Sequence, residues 1–416
     1  MRLEARHTAI LIVGTGATAL ISIAYRIYAG RMLGPARFAD FGAAVSFILL
    51  CCAALGPING IVARFTAQYA ARREHGKIRT LSRHISRRVA LAGLAFFLTG
   101  LLVVTPLSSF LNIHSNATLP VACVAVVLTL LLSVARGLLR GLQRYSALSW
   151  NGVAEATSRL GMGAALLALW TTPVAGVAAF VLAAAVALMV ARVQLAGSLD
   201  RHPAQPLDGS AVRRFALPMF VASLAKGGFE YFDTLAATHF LDPPELAGCY
   251  VAAANLSLVI GVLATPFATL VLPLMTSLQE QGRRTTPTFV RICLYFLILA
   301  GTPACICWLW PEWVLEVTFA EGFSQAAPWL FPLVLARLAT YLAALISMLL
   351  LTRDDYRFLL IYVAAFGLEV IGLFIWHESA DMIVRVVCVT QFACLMAMMA
   401  YWRWVRTTRT PPSPRS

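Results

Sequence analysis

Seven ionisable residues stand in the middle of apolar runs: Glu155, Arg159, Lys226, Glu230, Asp233, Arg337 and Glu369. A charge at the centre of a bilayer costs about 2.5–3.5 kcal/mol even on the lenient translocon scale. Together these groups represent on the order of 10 kcal/mol, comparable with the whole net stability of a typical domain. Such residues must pair with one another, line an aqueous cavity or meet a charged ligand. Glu155 and Arg159 are four apart, as are Lys226 and Glu230, so each pair can meet on one helix face. Arg337 has no carboxylate within a turn of its own helix, and Asp233 lies a further turn along the Lys226 face; both need partners from other helices, or a ligand. Asp233 and Glu369 are candidates for binding Na⁺ or H⁺ and so for coupling cation entry to a conformational change. The alternative is a salt bridge from Asp233 or Glu369 to Lys226 or Arg337. Arg26 stands four residues before Gly30, near the end of its apolar run, where snorkelling explains it as well as a cavity does.

The elements that hold these residues follow from composition. The chain is 60% hydrophobic and 12% charged, with a mean hydropathy of +0.78, whereas soluble domains carry about 25% charged residues. Apolar runs of roughly 20 residues predict an all-α polytopic membrane protein of about twelve transmembrane helices, near 8–30, 41–63, 89–111, 119–139, 146–170, 174–195, 215–240, 249–275, 292–310, 328–351, 358–376 and 382–402. The run at the start is longer than a signal h-region and has no clear cleavage site, so it is expected to stay as a span. Pro57, Pro266 and Pro273 interrupt spans and are expected to kink them.

The net charge of +14 tracks the membrane. Placing the N-terminus in the cytoplasm gathers most Lys and Arg on that side, including Arg64, Arg72, Arg73, Lys77, Arg79, Arg83, Arg87, Arg88, Arg136, Arg140, Arg144, Arg201, Arg284, Arg353, Arg409 and Arg415. The outer loops keep Arg31 and Arg37. The positive-inside rule then puts both termini in the cytoplasm, and anionic headgroups account for the basic loops without nucleic acid. The segment Leu33-Gly34-Pro35-Ala36-Arg37-Phe38-Ala39 recurs half a chain later as Leu241-Asp242-Pro243-Pro244-Glu245-Leu246-Ala247. Each copy follows the first span of a six-span half. The halves therefore enter the membrane in the same sense, as a parallel repeat with a pseudo-twofold along the membrane normal, the arrangement in which transporters place a substrate site between two lobes. The expected organisation is an N-terminal six-helix lobe over 1–196, a cytoplasmic linker over 197–212, a C-terminal six-helix lobe over 213–404 and a cytoplasmic tail over 405–416.

Several chemistries find no support. The nine cysteines, among them Cys51, Cys52, Cys305 and Cys307, fall mostly in apolar runs with no His or Cys partner at zinc spacing, and read as small core residues. Gly14-Thr15-Gly16 lies inside the first span with no strand before it, so it is no dinucleotide fingerprint. Asn116-Ala117-Thr118 fits a glycosylation sequon, which matters only in a eukaryotic secretory pathway. No P-loop, HExxH or GxSxG pattern occurs, and no cofactor or metal is expected beyond a coupling Na⁺ or H⁺.

Gly30-Arg31-Met32-Leu33-Gly34-Pro35 with Phe38, followed by Gly60-Ile61-Val62-Ala63-Arg64-Phe65, resembles the polysaccharide-transporter, or oligosaccharide flippase, family of the multidrug/oligosaccharidyl-lipid/polysaccharide exporter superfamily. The resemblance continues through Gly141-Leu142-Gln143-Arg144-Tyr145, Asp233-Thr234-Leu235, the stretch from Leu241 to Ala247-Gly248-Cys249-Tyr250, and Phe319-Ala320-Glu321-Gly322-Phe323. It implies two six-helix lobes in a V around a central cavity, and movement of undecaprenyl-diphosphate-linked oligosaccharide to the outer leaflet of the bacterial inner membrane for O-antigen, capsule or exopolysaccharide. The thirteenth and fourteenth spans of larger relatives have no counterpart. Beside that implication, Arg159, Lys226 and Arg337, with Arg26, offer cations at membrane depth for a diphosphate. The expected partners are the lipid-linked oligosaccharide, membrane lipids and other polysaccharide-assembly proteins. Within transport the competing reading is a cation-coupled multidrug exporter of the same superfamily. An enzyme, such as a membrane glycosyltransferase or ligase, would need larger outer loops than the longest here, near Pro311–Ala327.

Overall fold

A computed structural model describes residues 2–199, 210–281, 283, 285–352 and 355–408. Most of the expected linker, the end of the tail, and Arg201, Arg284, Arg353, Arg409 and Arg415 lie outside the described residues. The chain divides into two compact units, Met1–Gly227 and Gly228–Ser416. Among the described residues the fold is helical, with no strand.

The first unit holds α1 (Arg2–Leu55), α2 (Pro57–Ala71), α3 (His75–Leu102), the short α4 (Val104–Phe110), α5 (Thr118–Gly141), α6 (Tyr145–Leu169) and α7 (Pro173–Leu199). Helix α8 (Ser210–Phe240) crosses the division. The second unit continues with α9 (Pro244–Ser257), α10 (Val259–Glu280), α11 (Thr285–Leu309), α12 (Pro311–Phe319), a 3₁₀ turn (Glu321–Ala326), α13 (Ala327–Leu351), α14 (Phe358–Ile375) and α15 (Ala380–Thr408).

Among the described residues, nine helical stretches are long and apolar enough to cross a membrane. The longest, Val13–Ala71 at 59 residues, is broken at Gly34, whose backbone (φ 70, ψ 170) is non-helical, so it supplies two passes. Helices α6 and α8 fall outside the nine because Asn151, Glu155 and Arg159, and Lys226, Glu230 and Asp233, lower their hydropathy. Both are long enough to span at 1.5 Å per residue, which accounts for the twelve passes expected.

Prolines mark where helices begin: Pro57, Pro244 and Pro311 occupy first-turn positions of α2, α9 and α12, where a missing N–H costs nothing. The repeated connector does the same work in both copies, restarting a helix at Pro35 and at Pro244. Pro57 falls at the start of a new helix, as expected of a break there, whereas α10 continues as helix through Pro266 and Pro273 and a further interruption falls before it, at Leu258. The α2–α3 and α5–α6 turns share one closure. Arg73 (φ 59) and Gln143 (φ 57) take left-handed backbone, and the next amides donate back to Tyr69 O at 2.9 Å and Leu139 O at 2.9 Å, as in a Schellman end.

While Tyr25, Phe38, Phe229 and Phe296 fill the space between helices, small side chains at helix contacts let helices approach closely where lipid removes any hydrophobic drive to associate. Gly137 and Gly141 on α5 show this best: a Cβ would stand 2.8 Å from Asn59 O and 2.6 Å from Ala63 O of α2. Outward faces invert the soluble pattern. Leu91, Leu94, Leu98 and Leu102 form an exposed stripe along α3, at the i, i+3, i+4 spacing that would otherwise mark a core.

Candidate functional site

Each unit holds one hydrogen-bonded cluster of mid-helix charges. In the first unit the cluster is built on Glu155 of α6, which projects toward α5. Arg136 Nη2 donates to Glu155 Oε2 at 2.7 Å and its Nε donates to Asn151 Oδ1 at 2.8 Å. Arg159, one turn along α6, donates to Glu155 Oε1, and its guanidinium lies 4.4 Å from the Phe180 ring of α7, a cation–π contact. Asn151 Nδ2 closes the group onto α7 through Ala187 O at 2.7 Å. One carboxylate thus serves two guanidinium groups. The side chains of Arg136 and Arg159 keep 22% and 15% exposure, so this surplus positive charge is not sealed off. Arg159 Nε is a buried donor with no partner among the described residues.

The second cluster joins α8, α9, α13, α14 and α15. Arg337 and Asp233 are both wholly buried, and Arg337 Nη2 donates to Asp233 Oδ2 at 2.6 Å. Arg337 Nη1 donates to the Phe229 carbonyl, which also accepts from Gln391 Nε2 at 3.1 Å. Tyr250 Oη donates to Asp233 Oδ2 at 3.1 Å. Glu369, also wholly buried, accepts at Oε2 from Thr390 Oγ1 at 2.8 Å and from Gln391 Nε2 at 3.3 Å. Thr340 Oγ1 donates to Gln391 Oε1 at 2.7 Å. Asp233 Oδ1, Glu369 Oε1 and Arg337 Nε have no hydrogen-bond partner among the described residues. A buried ion pair of this kind is costly to break, because removing one member strands the other in a medium of low dielectric.

Arg159 meets Glu155 as its spacing predicts. Arg337 meets Asp233, one of the two alternatives left open by the sequence, and Glu369 joins them through Gln391. Arg159 belongs to the first unit and Arg337 to the second. Arg26 is half-buried on α1, and Lys226 is exposed on α8, with Glu230 buried one turn further on. Arg136 is a correction. Assigned to a cytoplasmic loop by its closeness to the end of a run, it lies within α5 and carries half of the Glu155 pairing. Tyr250 stood in the sequence only as part of the resemblance motif, and the uncharged members Asn151, Thr340, Thr390 and Gln391 were not singled out; mid-span amides such as Asn151 and Gln391 were the available signal, since an amide in a bilayer requires a partner.

The bundle is that of an all-helical polytopic membrane protein with buried charge at membrane depth. The chain belongs to the polysaccharide biosynthesis protein family, whose model matches residues 5–279. Its fold is that of transporters of the MOP superfamily. It is similar to the inward-facing conformation of a multidrug resistance MATE family transporter, at 14% identity and a TM-score of 0.74, with 94% of each chain covered. The outward-facing conformation of such a transporter matches at 14% identity and a TM-score of 0.66, over 97% of this chain and 96% of that one. A MOP superfamily transporter from Pyrococcus furiosus Vc1 (DSM3638), described as having a binding pocket of reverse polarity that suggests a different function, matches at 15% identity and a TM-score of 0.66, over 97% and 96%. No curated protein sequence matches the chain significantly.

Proposed function

We propose that this protein is a flippase that carries a lipid-linked oligosaccharide, of the undecaprenyl-diphosphate type, from the cytoplasmic to the periplasmic leaflet of the bacterial inner membrane for surface polysaccharide assembly. The observation that carries the reading is the surplus cation at Glu155. Two partly accessible guanidinium groups share one carboxylate, so an arriving diphosphate finds a donor fork that need not be stripped from its partner. Arg159, with Arg136 beside it, takes the headgroup; Arg26 and Lys226 extend the positive path; Arg337 positions Asp233. Family membership supports a saccharide cargo. Undecaprenyl-linked glycan, anionic lipid and neighbouring assembly proteins are the partners, with both termini in the cytoplasm.

Transport against a gradient needs a coupling step, and the second cluster is suited to one. Asp233 Oδ1 and Glu369 Oε1 are buried acceptors with no partner among the described residues, so entry of Na⁺ or H⁺ would favour one conformation by its differential affinity. The multidrug-exporter reading draws on the likeness to MATE transporters; the paired arginines of the first cluster count against a cationic drug. The deciding experiment compares export of surface polysaccharide in a flippase-deficient strain with efflux of a cationic dye from the same cells. Polysaccharide restored without dye efflux is the expected result, and dye efflux without polysaccharide overturns the reading.

A further inference from the structure

The second unit carries an open groove of about 720 Å³ between α14 and α15. Its walls are apolar, formed by Leu368, Val389 and Ala393 among others, and only Arg385 among the lining residues carries a charge. From Met382 to Ala397 it runs along fifteen residues of α15, roughly 22 Å at 1.5 Å per residue. That length accommodates a lipid chain held straight across its leaflet, which is about half of the roughly 30 Å hydrocarbon core. One end lies at the connection between the two helices, where Trp376 is 55% exposed, the position at which tryptophans mark the headgroup level. Arg385 stands there, exposed, and among the described residues no carboxylate pairs with it. Asp381, one turn before it, accepts from Trp329 Nε1 at 2.8 Å instead. A lone guanidinium at the head of an apolar channel in a membrane face calls for an anion joined to an apolar chain.

We propose that this groove binds one chain of an anionic phospholipid, with the lipid phosphate held by Arg385. The floor of the groove gives the site a consequence. Thr390 lines it and also donates to Glu369 Oε2 at 2.8 Å, so a seated chain packs against the residue that orients the buried carboxylate.

The test uses the full chain purified in neutral detergent, incubated with phosphatidylglycerol or with phosphatidylcholine of identical acyl chains, and read by native mass spectrometry for retained lipid. Wild type is expected to keep one phosphatidylglycerol in preference to phosphatidylcholine. Arg385→Ala should reduce that preference about fivefold, the effect of one basic residue near the headgroups, while Arg385→Lys keeps most of it. Ala393→Trp, which fills an exposed wall of the groove, should expel both lipids. Thermal unfolding of the variants without lipid should match wild type, since both positions are exposed. An undiminished preference in Arg385→Ala, or full lipid retention in Ala393→Trp, overturns the proposal. So does a wild-type dimer that Ala393→Trp dissociates, because the groove would then belong to a second copy of the chain.

Discussion

Glu155 is held by two guanidinium groups, and that ratio decides what its partners' loss would do. In Arg159→Ala the carboxylate keeps Arg136 at 2.7 Å, so detergent-solubilised stability should fall by about 1.5–3 kcal/mol, the worth of one hydrogen bond to a charged group, while export falls tenfold or more. The double variant Arg136→Ala/Arg159→Ala strands the buried carboxylate and should cost about 3–5 kcal/mol. Thermal unfolding and surface polysaccharide, measured on the same variants, separate the two roles; stable single variants with normal export would remove the first cluster from the cargo path. Arg337 is the opposite case. It is wholly buried against Asp233, so Arg337→Ala should lower the amount of folded protein at a cost of about 3–5 kcal/mol. Arg337→Lys should retain part of both stability and export, because charge survives and the fork does not. Replacing both partners with Arg337→Met and Asp233→Leu should recover stability without export, as expected when an ion pair is exchanged for apolar packing.

At the scale of elements, the sharpest prediction concerns the break in α1. Gly34 has φ 70 and ψ 170, a region essentially closed to residues with a Cβ, and substitution there costs about 1–3 kcal/mol. Gly34→Ala should therefore destabilise although nothing lies within 4 Å of its added carbon. Gly16 is the control: it also has open space around its Cβ, but sits in regular helix, so Gly16→Ala should be neutral or stabilising by up to about 1 kcal/mol. Comparison of the two unfolding midpoints isolates backbone strain from packing. If Gly34→Ala unfolds no earlier than Gly16→Ala, the break is not maintained by glycine.

For the whole molecule, orientation rests on where the basic residues collect. The turn between α2 and α3 presents Arg72 and Arg73, and the first half of α3 presents Arg83, Arg87 and Arg88, as exposed side chains, against Glu74, which pairs with Lys77 at 3.0 Å. Carrying such a segment across the membrane is opposed by the positive-inside rule. A cysteine at Arg83, on an otherwise cysteine-free background, should resist an impermeant thiol reagent added to intact cells and react after the inner membrane is opened. Reaction in intact cells would invert the topology.

Helix number, helix kind and the existence of buried charge were legible in the residues alone, because a bilayer imposes a length of about 20 apolar residues and a heavy penalty on each charge. Spacing within one helix was equally legible: Glu155 and Arg159 meet because four residues make one turn. What spacing could not reveal is pairing between helices. That Arg337 finds Asp233 across 104 positions, that Arg136 reaches back from α5 to Glu155, and that Thr390 and Gln391 orient Glu369 all depend on which helix faces pack together. That choice is made by close approaches such as Gly137 and Gly141 against the α2 backbone.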